Sequence, residues 1–196
     1  MNVLVVHCHP SQTSLVALAR DRVLQRLGAR GHQVRQIDLY GEGFEPVLSA
    51  WERRHHLDDP AGKPAIAAHA ALLAWCEALV VVYPTWWSGQ PAVLKGWFDR
   101  VWVNGVAYTL PEGSSRIRPA LRNIRRILTV TTHGSSKWAN SLQGEGGKRI
   151  MSRSIRAVCN PRCRTSWVAL YGADRADSAD RDRFLRRVDR AVSRLR

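Results

Sequence analysis

Cysteine is scarce in this chain, four in 196 residues, and the four do not pair into a framework. Cys8 and Cys76 lie within apolar stretches and read as small buried hydrophobes. Cys159 and Cys163 flank Asn160, Pro161 and Arg162, and no second thiol or imidazole pair completes a metal site. The sequence thus offers neither a disulfide scaffold nor a full set of zinc ligands, and no metal is expected. Long apolar runs are missing too: none approaches the roughly 20 residues that span a bilayer. The opening MNVLVVHCHP has no basic flank and no small-residue cleavage site, so it is expected to be the first strand of a cytoplasmic protein rather than a secretion signal. Acidic residues are in the minority, 16 Asp+Glu against 30 Lys+Arg, for a net charge of +14. The surplus is mostly arginine, concentrated over 116–126, 148–164 and 181–196, and Asp180, Asp182 and Asp189 interrupt the last block as on a solvated helix face. No nucleic-acid module or aromatic-basic repeat accompanies the charge, so no nucleic-acid partner is expected, while a peripheral contact with an anionic membrane or an acidic protein stays open.

What the chain does have is apolar residues, 45% of the total, arranged in blocks. Such a composition and length suit one packed domain over 1–196 and exclude a mainly disordered chain. Val3 to Val6 is a short β-branched-rich run of the kind buried on both faces. Residues 14–27 place Leu15, Leu18, Ala19, Val23, Leu24 and Leu27 at a helical period, with Gly28 and Gly31 expected to end the helix. Strands are expected over 34–39, 78–83, 124–131 and 165–170, and helices over 65–76, 91–101, about 146–158 and 178–194. The stretch 41–63 reads as long and irregular and 112–117 as a smaller excursion. Strands and helices alternate five times. That pattern predicts an α/β flavodoxin-like three-layer sandwich: a five-stranded parallel sheet of order 2-1-3-4-5 with helices on both faces.

Ligands of open α/β sheets bind beyond the carboxyl ends of the strands, where the winding reverses. The loops to inspect are therefore 9–14, 84–90 and 132–139, which are also the most unusual in composition. The first lacks both Gly-x-Gly-x-x-Gly and Gly-Lys-Ser/Thr, so neither a dinucleotide fingerprint nor a Walker loop is present. It offers the hydroxyls of Ser11, Thr13 and Ser14 at a helix start, which suit a phosphate, although Thr13 or Ser14 could equally be a plain helix cap. The second sets Trp86 and Trp87 side by side between Pro84 and Pro91; two successive rings cannot both face one core, so at least one should face a cleft. The third, Thr131-Thr-His-Gly-Ser-Ser-Lys-Trp138, supplies backbone donors, hydroxyls, one imidazole and one cation. No nucleophile triad and no carboxylate pair falls near these loops, so the chain does not look built for hydrolysis.

Several of these segments together resemble the flavodoxin-like NAD(P)H:quinone oxidoreductases, the DT-diaphorase-like group. The resemblance rests on His9-x-x-x-Thr13-Ser14, on Asp38-Leu-Tyr40 with Phe44-x-Pro46-Val-Leu-Ser49, and on Pro84-x-x-Trp87-x-Gly89-x-Pro91-Ala-x-Leu94-Lys95-Gly-Trp97-Phe98-Asp-Arg100-Val101. Ala107-Tyr108-Thr109, Thr131-Thr132-x-Gly134 and Ser141-Leu-Gln-Gly144 extend it. It implies a flavin, FMN or FAD, with His9, Thr13, Ser14 and Leu15 at its phosphate end and Pro84, Thr85, Trp86, Trp87, Thr131, Thr132, His133 and Gly134 along its ring. It further implies NAD(P)H as co-substrate, a quinone or similar planar acceptor, and a homodimer in which Tyr108 of one copy closes the pocket of the other. Trp138 and Asn140 are expected beside the acceptor, and Trp87 and His133 at the reacting centre. The family's proposed proton relay uses a Tyr and a His where this chain has Asn140 and Gly146, while His133 stands in place of a usual glycine. A flavin-binding ancillary subunit of a membrane transport system, with little turnover, is the alternative.

Overall fold

The computed structural model describes residues 1–58, 64–111, 113 and 116–196. Along the chain run β1 (Asn2–His7), α1 (Leu15–Ala29), β2 (Gln33–Asp38), α2 (Ala50–Arg54), α3 (Pro64–Trp75), β3 (Ala78–Thr85) and α4 (Ala92–Val101). There follow β4 (Tyr108–Thr109), β5 (Arg118–Pro119), β6 (Arg126–His133), α5 (Lys137–Leu142), α6 (Gly146–Arg149), β7 (Arg164–Tyr171) and α7 (Ser178–Val192). The five long strands pair in parallel in the order β2-β1-β3-β6-β7, which is 2-1-3-4-5 when they alone are counted, as the alternation of elements predicts.

Alternation along each strand splits the core into two layers. Val3, Val5, Val80, Val82, Leu128, Val130 and Val168 face α1 and α7, which close over them with Val16, Ala19, Val23, Leu27, Phe184, Val188 and Val192. Leu4, Val6, Leu79, Val81 and Ile127 face the other way, against Ile66 and Leu73 of α3 and Leu94, Trp97 and Val101 of α4. The i, i+3, i+4, i+7 spacing on each helix is what turns one stripe inward, and each large side chain so buried contributes about 1.5–3 kcal/mol.

Three expectations need correcting. Gly28 lies inside α1, which runs to Ala29, and the chain turns at Gly31 instead. The helix expected over about 146–158 is interrupted: α6 gives way at Ile150 to a π-helical segment, Ile150–Ile155, whose wider turn inserts an extra residue. The supposedly irregular 41–63 contains α2, capped by a reciprocal Ser49–Glu52 pair, and is fastened to α4 by Arg100, which donates to Glu52 at 2.6 Å and to the Glu45 carbonyl. Residues 59–63, 112, 114 and 115 of the two excursions lie outside the described residues.

Candidate functional site

Because every long strand runs the same way, the carboxyl ends of β1, β3, β6 and β7 open onto one end of the sheet. The loops leaving them surround a cleft of about 640 Å³ lined by His9, Pro84, Thr85, Trp86, Trp87, Thr132, Gly134, Ala173 and Asp174. That volume is in the range of small-molecule and cofactor sites. A smaller annex of about 230 Å³ continues past Thr85 and Trp87 to Ser88, His133, Ser135, Asn140 and Gln143.

The loop after β1 is pinned before it reaches α1. Gln12 donates to Asp38 at 3.0 Å and accepts from Arg20 at 2.6 Å, and Asp38 also lies 3.4 Å from the buried His7 ring. Burial pulls the His7 pKa below its ordinary value. Ser14 is the N-cap of α1: its hydroxyl takes the Ala17 N–H at 3.1 Å and donates to the Ser11 carbonyl at 2.9 Å. Thr13 is exposed and hydrogen-bonds Ser11 at 3.1 Å, and Leu15 packs into the α1–α7 layer. Of His9, Thr13, Ser14 and Leu15, only His9 lines the cleft directly. The start of α1 still presents the positive end of a fifteen-residue helix beside it.

The Trp-Trp segment forms a tight turn. Trp86 and Gly89 exchange backbone hydrogen bonds of 3.2 and 3.1 Å, and Trp87 and Ser88 between them have φ of 47° and 61°. Left-handed backbone at both centres is the geometry of a type I′ turn, which favours Asn and Gly; a tryptophan and a serine hold it at a cost of order 1–3 kcal/mol each. The turn is anchored by Ser88, which donates to Gln143 and accepts from the Gly147 N–H at 3.0 Å. Its strain leaves Trp87 fully exposed and Trp86 43% exposed, both against the cleft. The anchored turn thus presents two large rings to solvent as one wall of the cleft.

Thr132 lines the cleft and His133 the annex, while Thr131 between the strands is buried behind them. In register with β3, the Thr85 hydroxyl meets Thr131 Oγ1 at 2.9 Å and His133 Nε2 at 3.3 Å. His133 is 5% exposed and stacks on Tyr171 at 4.6 Å, and its Nδ1 is buried with no hydrogen-bond partner among the described residues. Burial lowers its pKa to about 4, so near neutrality the imidazole is uncharged. It can give or take a hydrogen bond there without bringing charge.

Asn140 borders the annex, donating to Ser135 at 2.6 Å. Trp138 is largely exposed on α5 and lines neither space, and Tyr108 packs beside the α3–α4 layer away from this chain's own cleft. Ala173 and Asp174 complete the lining, since the rule that ligands gather beyond strand ends applies to β7 as it does to the others.

A family model described as the flavodoxin-like fold matches residues 1–194. Over 107 residues the chain is 38% identical to the uncharacterized NAD(P)H oxidoreductase YcaK of Escherichia coli (strain K12), covering 54% of this chain and 55% of that protein. It is 28% identical over 160 residues to NAD(P)H dehydrogenase [quinone] 1 of Cavia porcellus, covering 74% of this chain and 57% of the relative. The matches thus span little more than half the length of these curated relatives. Among solved structures, an NAD(P)H:quinone oxidoreductase from Methanothermobacter marburgensis superposes with a TM-score of 0.82 at 28% identity, over 100% of this chain and 99% of that one.

Proposed function

From a chain that belongs to the family of the flavodoxin-like fold, we propose an NAD(P)H-dependent flavin oxidoreductase whose acceptor is a quinone or a similarly flat molecule. The observation that carries this reading is the strained, exposed Trp86–Trp87 turn facing the Thr132–His133–Gly134 strand end across a cleft of cofactor size. The printed names of relatives and of the superposed structure support the same class of reaction.

The residues present fit a flavin. Pro84, Trp86 and Trp87 give a flat apolar wall, Gly134 lets the backbone come close, and the donors of His9 and the α1 start suit a phosphate. When bound, the flavin supplies two-electron chemistry between NAD(P)H and the acceptor. The chain's own part is to orient and to exclude water. The rigid turn fixes one face of the cleft, so each flat reactant meets a preformed surface. Thr85, backed by the neutral His133, offers a hydroxyl at the cleft wall, and His133 and Trp87 are the residues assigned to the reacting centre. Since Tyr108 and Trp138 lie outside this chain's own cleft, they fit a pocket finished by a second copy, and the proposed assembly is a homodimer working in the cytoplasm. The ancillary-subunit reading draws no support from these relatives, which carry oxidoreductase names.

The test is flavin uptake. The purified protein should be yellow, or should become so when the apoprotein is mixed with FMN or FAD, with tryptophan emission quenched in step. Protein that takes up neither flavin contradicts the proposal.

A further inference from the structure

We propose that the outer surface of α1 and α7 is a docking face for a membrane that carries anionic phospholipids. The inference is independent of the flavin reading.

The two helices lie side by side over one face of the sheet, and their inward residues, among them Val23, Leu27, Phe184, Val188 and Val192, are taken up by the core. What they turn outward is mostly cation. Residues 15–30 and 178–196 hold eleven arginines and four aspartates, with no lysine or glutamate, so this layer carries a net +7, half of the chain's +14. The charge is ordered along the helix axes. Arg22, Arg26 and Arg30 follow one another at four-residue steps on α1 and just past its end, and Arg186, Arg190 and Arg194 do the same on α7. Each helix is fifteen residues, about 22 Å long, so the face is broad enough to meet several lipid headgroups at once.

The acidic residues do not cancel these stripes. Asp189 lies between them and is gripped by both Arg22 and Arg26, each through paired hydrogen bonds of 2.8 and 2.9 Å respectively, so one carboxylate serves two guanidinium groups. Beside it a depression of about 410 Å³ is lined by Arg26, Ala29, Arg30, Asp189, Arg190 and Ser193. The side chains of Arg30, Arg186, Arg190 and Arg194 are exposed, and among the described residues none of them makes a hydrogen bond or an ion pair. Carbonyls at the ends of the two helices are taken by the Gly31, His32, Arg194 and Leu195 N–H groups, which leaves fewer internal acceptors for these cations.

Chemistry selects the partner. A guanidinium forks onto a phosphate through two N–H donors and is more weakly hydrated than an ammonium. A protein interface has an apolar centre within its polar rim, and here Leu18 is the one large apolar side chain exposed on α1 or α7 among the described residues. Base stacking needs an aromatic platform, and the one aromatic residue of the two helices, Phe184, is buried. A duplex groove is entered by a projecting helix or ribbon, which two helices packed flat on a sheet do not offer. An anionic bilayer asks only for a broad positive surface, and it gives an isolated Leu18 an apolar layer to enter. The depression lies at the carboxyl-terminal ends of the helices and the cleft at their starts, so docking leaves the cleft mouth free.

The test is flotation of the purified protein with vesicles of phosphatidylcholine alone and of phosphatidylcholine mixed with phosphatidylglycerol. Binding is expected to the mixed vesicles only, and to be lost at about 1 M salt, where the screening length falls to about 3 Å. One arginine near an anionic surface is worth about fivefold, so Arg30→Gln, Arg186→Gln, Arg190→Gln and Arg194→Gln together should weaken binding about a hundredfold or more. Lysine at the same four positions keeps the charge and should bind within about tenfold of the wild type. Arg54, Arg118, Arg153 and Arg162 are exposed on other elements, and changing those four to Gln should cost less than about tenfold. No binding to the mixed vesicles, equal loss from both Gln sets, or a Lys set as weak as the first Gln set overturns the proposal. Tighter binding to a DNA duplex through the same four arginines overturns it as well.

Discussion

Trp87 sits where a side chain of its size has least reason to be, fully exposed at φ 47°. Trp87→Gly removes the left-handed strain and no buried contact, against a modest gain in unfolded-chain entropy. Stability in urea should be unchanged or up to about 1 kcal/mol higher, while flavin affinity falls; a large loss of stability would show that the ring packs rather than binds. His133 gives the opposite case, a polar group held inside. Its pKa is about 4 in the fold against an ordinary value of 6.5, so between those values the unfolded chain binds a proton that the fold refuses. Stability is then complete above about pH 6.5 and declines as pH falls toward 4, by at most about 3 kcal/mol from this group. His7 and His32, also lowered by burial, add with the same sign. His133→Gln should flatten the slope of urea midpoints between pH 6.5 and 4.5, and an unchanged slope would contradict the burial argument. Of these residues, the tryptophan pair was legible because two adjacent rings cannot share one core. The anchoring of that turn by Ser88 on Gln143 and Gly147 was not, because it joins residues more than fifty apart in sequence, which no local pattern reports.

At the level of elements, the long strands and major helices were readable within a few residues, since period-2 and period-3.6 apolar patterns are imposed by the two buried layers. The pieces missed are those too short to show a period: α2, α5 and the two-residue ladder of β4 with β5. The π-helical segment after α6 escaped as well, as its extra residue leaves no mark in composition. Yet the missed pieces hold the site's surroundings in place. Arg100 of α4 reaches across to Glu52 and Glu45 and lies 5.2 Å from the centre of the Phe44 ring, at 8% exposure. Arg100→Ala should cost about 3 kcal/mol, because it strands the Glu52 carboxylate and undoes the fastening of 41–58. Gly96, on the same helix, meets the Pro46 backbone so closely that an added methyl overlaps both its carbonyl and its ring. Gly96→Ala should destabilise by about 1–3 kcal/mol through overpacking, read as a lower urea midpoint at constant slope, whereas a neutral result would mean that residues 44–47 move freely away from α4.

For the whole molecule, five parallel strands put four loop ends around one opening, where the left-handed Trp87 and Ser88 also lie. The cleft was legible in outline from topology and loop chemistry; its proposed completion by another copy rests on resemblance, since Tyr108 looks like an ordinary core-side residue in this chain. Sedimentation should therefore report a species of twice 22.1 kDa, and a monomer at assay concentrations would contradict the homodimer. The most direct measurement is anaerobic mixing of FMN-loaded protein with NADH or NADPH in an absorbance cell, followed by a benzoquinone. The visible flavin band should bleach with one of the nucleotides and return in proportion to the quinone added. A flavin that binds tightly yet keeps its colour with both nucleotides would mean that the cleft holds the ring without passing electrons through it.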